Sequence, residues 1–210
     1  MSIPDWVGIC KDVVLSGTAI FASVVGYRGL NNWQRQLSGN AEYQLAKTLL
    51  TNVYELRDSL ARARSRISYD STEPNLPEEK LKVLTTDQKR WHALAQSYDK
   101  RWEPIPAITA KLDVSLWEAE AVWGPAIVST VRKLSEKVGT LRWAMEEEIE
   151  LQDPAARKEV EAEGSDQDYR ERRRILFARS KNDDFATKIN EVISAVEVEL
   201  RPHIVGHRRG

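Results

Sequence analysis

The chain has 210 residues, with 31 Lys+Arg against 32 Asp+Glu for a formal charge of −1, and 41% apolar against 30% charged residues. A near-neutral balance argues against a protein that coats nucleic acid, and a single Cys excludes an internal disulfide framework. This length buries a core without staples, as one domain or as a small domain with an appendage.

The first feature is VVLSGTAIFASVVGY, Val13 to Tyr27, fifteen residues without a charge between Asp12 and Arg28. Fifteen residues rise only about 22 Å against a hydrocarbon core of about 30 Å, so a spanning helix must recruit flanking turns. Leu30 on one side and Trp6, Val7 and Ile9 on the other supply them, and Trp6, Tyr27 and Trp33 stand where an interfacial aromatic belt would sit. The reading is a single-pass anchor within residues 1–37. A buried core helix is the competitor, because the run is short. The acidic start, with Asp5 and Asp12, does not read as a cleaved secretory signal. Arg28 and Arg35 follow the run while Lys11 alone precedes it, and this bias places the bulk of the chain in the cytoplasm. Thr18, Ala22 and Gly26 recur every four residues, a small face through which helices associate in lipid. Cys10 reads as an inert thiol near the expected interface.

Beyond Ser38 and Asn40, two N-cap residues, Ala46, Leu49, Val53, Leu56, Leu60, Ala63 and Ile67 alternate spacings of three and four. That heptad seam predicts an amphipathic helix over about 40–68, ended by the polar loop SYDSTEPNLPEE. Helical patterning resumes at Thr85 or Thr86 and carries Trp91, Leu94, Ala95, Tyr98 and Trp102. Pro104 and Pro106 predict a kink or restart, followed by Ile108, Leu112, Leu116, Ala119 and Trp123. Gly124 and Pro125 read as a stop and a start for the clearest helix, Ile127 through Ile149, ending near Asp153 and Pro154. A solvated connection then leads to a last helix from Ser165 or Asp166, carrying Ile175, Phe185, Ile189, Val192, Val196 and Leu200 and stopped by Pro202. No period-two alternation predicts a strand. The expected fold is all-α: an N-terminal transmembrane helix, an antiparallel four-helix-like, coiled-coil bundle over 38–202, and a flexible tail at 203–210.

Chemistry-bearing patterns are sparse. No phosphate-cradling glycine loop occurs, and the E-x-x-H signature of di-metal bundles is missing. His203 and His207 have the spacing of a helical metal pair, but Pro202 and Gly206 argue against a helix there. His92 has no second His or Cys nearby and reads as a boundary residue. Glu118 with Glu120, and the run Glu146 to Glu150, read as solvated faces instead of an acid–base pair. Seven Trp are most simply core material. The basic clusters offer anionic-lipid or phosphate contacts: Arg28, Arg35, Arg57, Arg62, Arg64 and Arg66 early, and Arg170, Arg172, Arg173 and Arg174 late. Interspersed acids such as Asp58, Asp168 and Glu171 favour ordinary solvated faces with intrahelical pairs over such contacts.

The functional expectation is a membrane-anchored scaffold or signalling adaptor, not an enzyme, with no cofactor. Its expected partners are the membrane, another protein and a further copy of itself, with nucleic acid disfavoured. The competing readings are an oligomerising effector that perturbs the bilayer through Thr18, Ala22 and Gly26, and a cytosolic binding protein that buries the apolar run.

Overall fold

A computed structural model describes the backbone of residues 3–65, 74–155, 166–178 and 183–205; within these ranges side chains are described from Val25 onward, apart from positions 31, 32, 35 and 166. The elements are α1 (Ile3–Ala63), α2 (Glu78–Val83), α3 (Thr86–Trp102), α4 (Pro104–Trp123), α5 (Pro125–Leu151), α6 (Asp166–Leu176) and α7 (Asp184–Val205). The fold is all-α, with no strand among the described residues.

The last third of α1 packs with α4, α5 and α7 as a four-helix bundle. Each helix contributes one stripe to a single core: Leu49, Val53, Leu56 and Leu60 from α1, Leu112 and Leu116 from α4, Val131, Leu134 and Leu141 from α5, and Ile189, Ile193 and Val196 from α7. Neighbours run antiparallel. On the α1–α7 seam, Glu42 meets His203 and Arg64 meets Asp183, at opposite ends. On the α1–α4 seam, Arg101 just before α4 reaches the Ser65 carbonyl, and Asn52 reaches Lys111 and Ser115. Asn52 is buried in the apolar α1 stripe, and its amide donates to the Lys111 carbonyl at 3.3 Å and to Ser115 Oγ at 3.1 Å. A buried amide with those partners sets the axial register of α1 against α4, since a slip would leave it unpaired.

Local chemistry ends and restarts the helices. Thr85 forms a capping box with Gln88, whose backbone N–H donates to Thr85 Oγ1 while its side-chain oxygen accepts from the Thr85 N–H. Pro104 takes the first position of α4, and Pro125 that of α5, where a missing N–H costs nothing. Gly124 between them has φ 85° and ψ −174°, a conformation open essentially to Gly alone.

Four expectations need correction. Ser38 and Asn40 do not cap a second helix: α1 is one helix of 61 residues that crosses positions 37 and 38 unbroken. A single helical Gly39 costs only about 1 kcal/mol, too little to break a helix anchored by packing at one end. The last helix is two, because Asp183 caps α7, its Oδ1 accepting from the Ala186 N–H at 3.0 Å. Pro202 lies inside α7, which continues through His203 to Val205, where a tail was expected. Pro202 and Val198 are both exposed, so the Val198 carbonyl freed by the missing N–H is within reach of water. Finally, part of the expected loop is α2, which has no buried residue.

Among the described residues no helix is long and apolar enough to cross a membrane, so the expected transmembrane span gains no support from the fold; positions 13–24 of the Val13–Tyr27 run lie outside the residues whose side chains are described. Arg66, Ile67, His207 and the rest of the tail from 206 also fall outside the described residues, as do the side chains of Cys10, Thr18, Ala22 and Arg35.

Candidate interaction surface

The late and early arginines separate into structural and surface groups. Arg64 is 2% exposed. Its guanidinium holds Asp183 through two bonds, 2.7 Å to Oδ1 and 3.0 Å to Oδ2. It also donates to the carbonyls of Ile175 at 2.5 Å and Arg174 at 3.0 Å, which are orphan acceptors at the C-terminus of α6. A cation suits that end of the helix dipole, and Asp183 suits the start of α7. One ion pair therefore ties three helix ends together. Arg172 is likewise buried, with Nε 3.2 Å from Glu148 and a terminal nitrogen 3.1 Å from Glu147. Arg64 and Arg172 thus have their donors turned inward, and Glu147 and Glu148 are not a solvated face. The signal that separates these two arginines from their neighbours is spacing: Arg64 stands four residues after Leu60 and Arg172 four before Leu176, on the apolar faces of their helices.

The others lie outside the core. Arg57 pairs with Asp58 at 2.8 Å and lies over the Tyr54 ring, while Arg62 is exposed and donates to Ser59 at 2.7 Å. Arg173 donates to the Tyr169 hydroxyl at 2.5 Å and lies against Phe177. Arg170 and Arg174 line a groove of about 740 Å³ between α5, α6 and α7, together with Lys137 and Lys188 but also Glu171 and Asp184. Arg28 is exposed near the middle of α1. Along the α1 axis Arg57 stands about 45 Å beyond Arg28, and Arg64 about 55 Å, at 1.5 Å per residue. An anchor that leaves a membrane along its own axis therefore carries these arginines far out of reach of the leaflet headgroups.

At the opposite end of the bundle, where α1 emerges, the Trp123 ring stacks on His203 with centroids 4.3 Å apart. His203 Nδ1 is 3.4 Å from Glu42 Oε2, and Trp123 Nε1 is buried with no hydrogen-bond partner among the described residues. On the α1–α7 seam the Tyr54 hydroxyl donates to Glu197 at 2.7 Å, and that bond, with burial, raises the Tyr54 pKa above its ordinary value. His92 lies against the Trp91 ring and lines a hollow of about 440 Å³ beside α2 with Leu76 and Val83. Glu118 and Glu120 are both exposed on α4. Among the described residues no group of three His, Cys, Asp or Glu side chains could hold a metal ion.

Several exposed patches are apolar, and two tryptophans expected in the core, Trp117 and Trp143, stand on them. On the part of α1 that precedes the bundle, Val25, Tyr27, Leu30, Trp33 and Leu37 are 51–73% exposed. A Cβ added at Gly26 would meet nothing within 4 Å. On α4, Val114 is 51% and Trp117 66% exposed, and on α5 Trp143 is 60% exposed. The signal was present in α4, where Val114, Trp117 and Ala121 repeat at three and four on the side away from Leu112 and Leu116. A helix apolar on two sides needs two partners. The chain matches no protein-family model, no curated protein and no solved structure.

Proposed function

We propose that this chain is a membrane-anchored helical interaction protein, a scaffold or signalling adaptor that carries its bundle at the end of a long helix and works by contact instead of catalysis. One observation carries the reading. The described end of the uncharged Val13–Tyr27 run and the turn after it keep Val25, Tyr27 and Leu30 more than half exposed, so no described residue covers the mouth of that apolar run. Tyr27 then serves as an interfacial anchor, and Arg28 extends its head toward water. The exposed Val114, Trp117 and Trp143 give the bundle the aromatic surface on which protein contacts concentrate.

Membrane pelleting of the full chain, followed by carbonate and then detergent extraction, tests this. The expected result is a pellet that resists carbonate and yields to detergent, with Ile20→Arg combined with Val24→Arg moving the protein to the supernatant. Wild-type protein found in the supernatant overturns the anchor and favours a cytosolic binding protein with a covered apolar run. An oligomerising effector is the second reading, favoured by the open space at Gly26. It requires that overexpression be toxic and that Gly26→Leu abolish the toxicity while leaving the pelleting unchanged.

A further inference from the structure

We infer that α1 pairs in parallel and in register with α1 of a second copy of this chain, through an exposed seam formed by Gly26, Leu30, Trp33 and Leu37. These positions are spaced four, three and four, so at about 100° per residue they fall within about 60° of arc on one face. Leu30 is 55%, Trp33 58% and Leu37 51% exposed, and no described residue covers them.

Two features select a second copy over another partner. Identical chains in register set each charge beside its own like charge unless the charges lie away from the seam. With Leu30 and Leu37 at a and Gly26 and Trp33 at d, the flanking e and g positions are Tyr27, Gln34, Gly29 and Gln36, all uncharged. The charged residues from 27 to 44 are Arg28, Arg35 and Glu42, and all three fall at f, diametrically away from the seam. The second feature is clearance. The bundle-facing stripe of α1, Ala46, Leu49, Val53, Leu56 and Leu60, lies about 150° around the helix from the seam, so two bundles stand on the outer sides of the pair and do not collide. On the seam's own side, α1 within the bundle exposes Gln44, Thr51, Glu55 and Asp58, which ends the apolar contact at Leu37.

Cysteine cross-linking of the full chain in a Cys10→Ser background tests the pairing. Residues at a in such a pair come within disulfide reach, about 4.4–6.8 Å between Cα atoms, whereas f positions lie on the far sides of two helices each about 10 Å across. Under a copper–phenanthroline oxidant, Leu37→Cys and Leu30→Cys are expected to form dimers and Arg35→Cys to remain monomeric. Trp33→Glu with Leu37→Glu should weaken the dimer at least about tenfold by light scattering, with helicity intact because neither side chain touches the bundle. A full chain that sizes as a monomer at about 10 µM overturns the inference. Equal cross-linking of Arg35→Cys and Leu37→Cys does so too. Apart from Gly26 the seam lies outside the uncharged run, so the assay is made in detergent or in buffer alone; a dimer that needs no detergent upholds the seam while the anchor falls.

Discussion

Replacing Arg64 by Met keeps most of the side chain's apolar volume and removes the guanidinium that joins α1, α6 and α7. What remains is the Asp183 carboxylate, 13% exposed, without its cation, and the Ile175 and Arg174 carbonyls without their donor. Breaking a buried pair from one side costs about 3–5 kcal/mol, because the surviving charge stays desolvated. A domain of this size has roughly 5–15 kcal/mol in all, so the variant should lose a large part of its stability. Urea denaturation of the full chain, followed by far-UV circular dichroism, measures the loss. A double-mutant cycle sharpens it: Asp183→Asn keeps an oxygen to cap α7 but carries no charge, so in that background Arg64→Met should cost less, with a coupling of about 0.5–3 kcal/mol. A cost below about 1 kcal/mol, the range of exposed pairs, would refute the argument that this pair is desolvated, as would simple additivity of the two changes.

Gly124→Ala and Gly139→Ala should act in opposite directions although a Cβ meets nothing within 4 Å at either site. At Gly124 the positive φ is strained for any L side chain, a loss of about 1–3 kcal/mol, whereas helical Gly139 should gain about 0.5–1 kcal/mol, both read from thermal midpoints. Trp91 Nε1 donates to the Ile149 carbonyl near the end of α5 at 2.9 Å, and Trp91→Phe should cost about 1–2 kcal/mol in urea denaturation through that bond and the smaller ring. The Tyr54 phenol should ionise above its usual value of 10.0, held protonated by its bond to Glu197. A raised folded pKa makes this contribution to stability complete below pH about 10 and lost as pH rises through the raised value. Phenolate absorbance of the full chain minus that of Tyr54→Phe isolates the step, and Glu197→Gln should bring it downward.

The bundle was legible because its information is periodic. The stripe Ala46 to Ala63 and the stripe Ile127 to Ile149 each present one face, and Pro104, Gly124 and Pro125 punctuate the chain in ways that backbone geometry forces. What escaped was information held between segments. Spacing places Arg64 four residues after Leu60 and Glu148 seven after Leu141, each on the apolar face of its helix, but which charges meet, Arg64 with Asp183 and Arg172 with Glu148, is set across the bundle. The unbroken α1 escaped for the converse reason: Ser38 and Asn40 are good caps, but caps act only where a helix ends, and packing beyond residue 42 holds the helix through them. On α1 the flank of the apolar run, Tyr27, Leu30 and Trp33, was legible from the sequence, whereas Leu37 lies past it and joins them only through the three-and-four spacing.

A helix shared without a joint between an exposed rod and a packed core has no swivel. The azimuth of the bundle about the rod is therefore a matter of counting residues. Inserting a single helical residue between Leu37 and Glu42 would turn the bundle by about 100° relative to the exposed face, and two residues would turn it by about 200°. Seven residues would bring it back to within about 20° of its original bearing, some 10 Å farther along the axis. Orientation and reach, in this chain, are dialled by the same few residues.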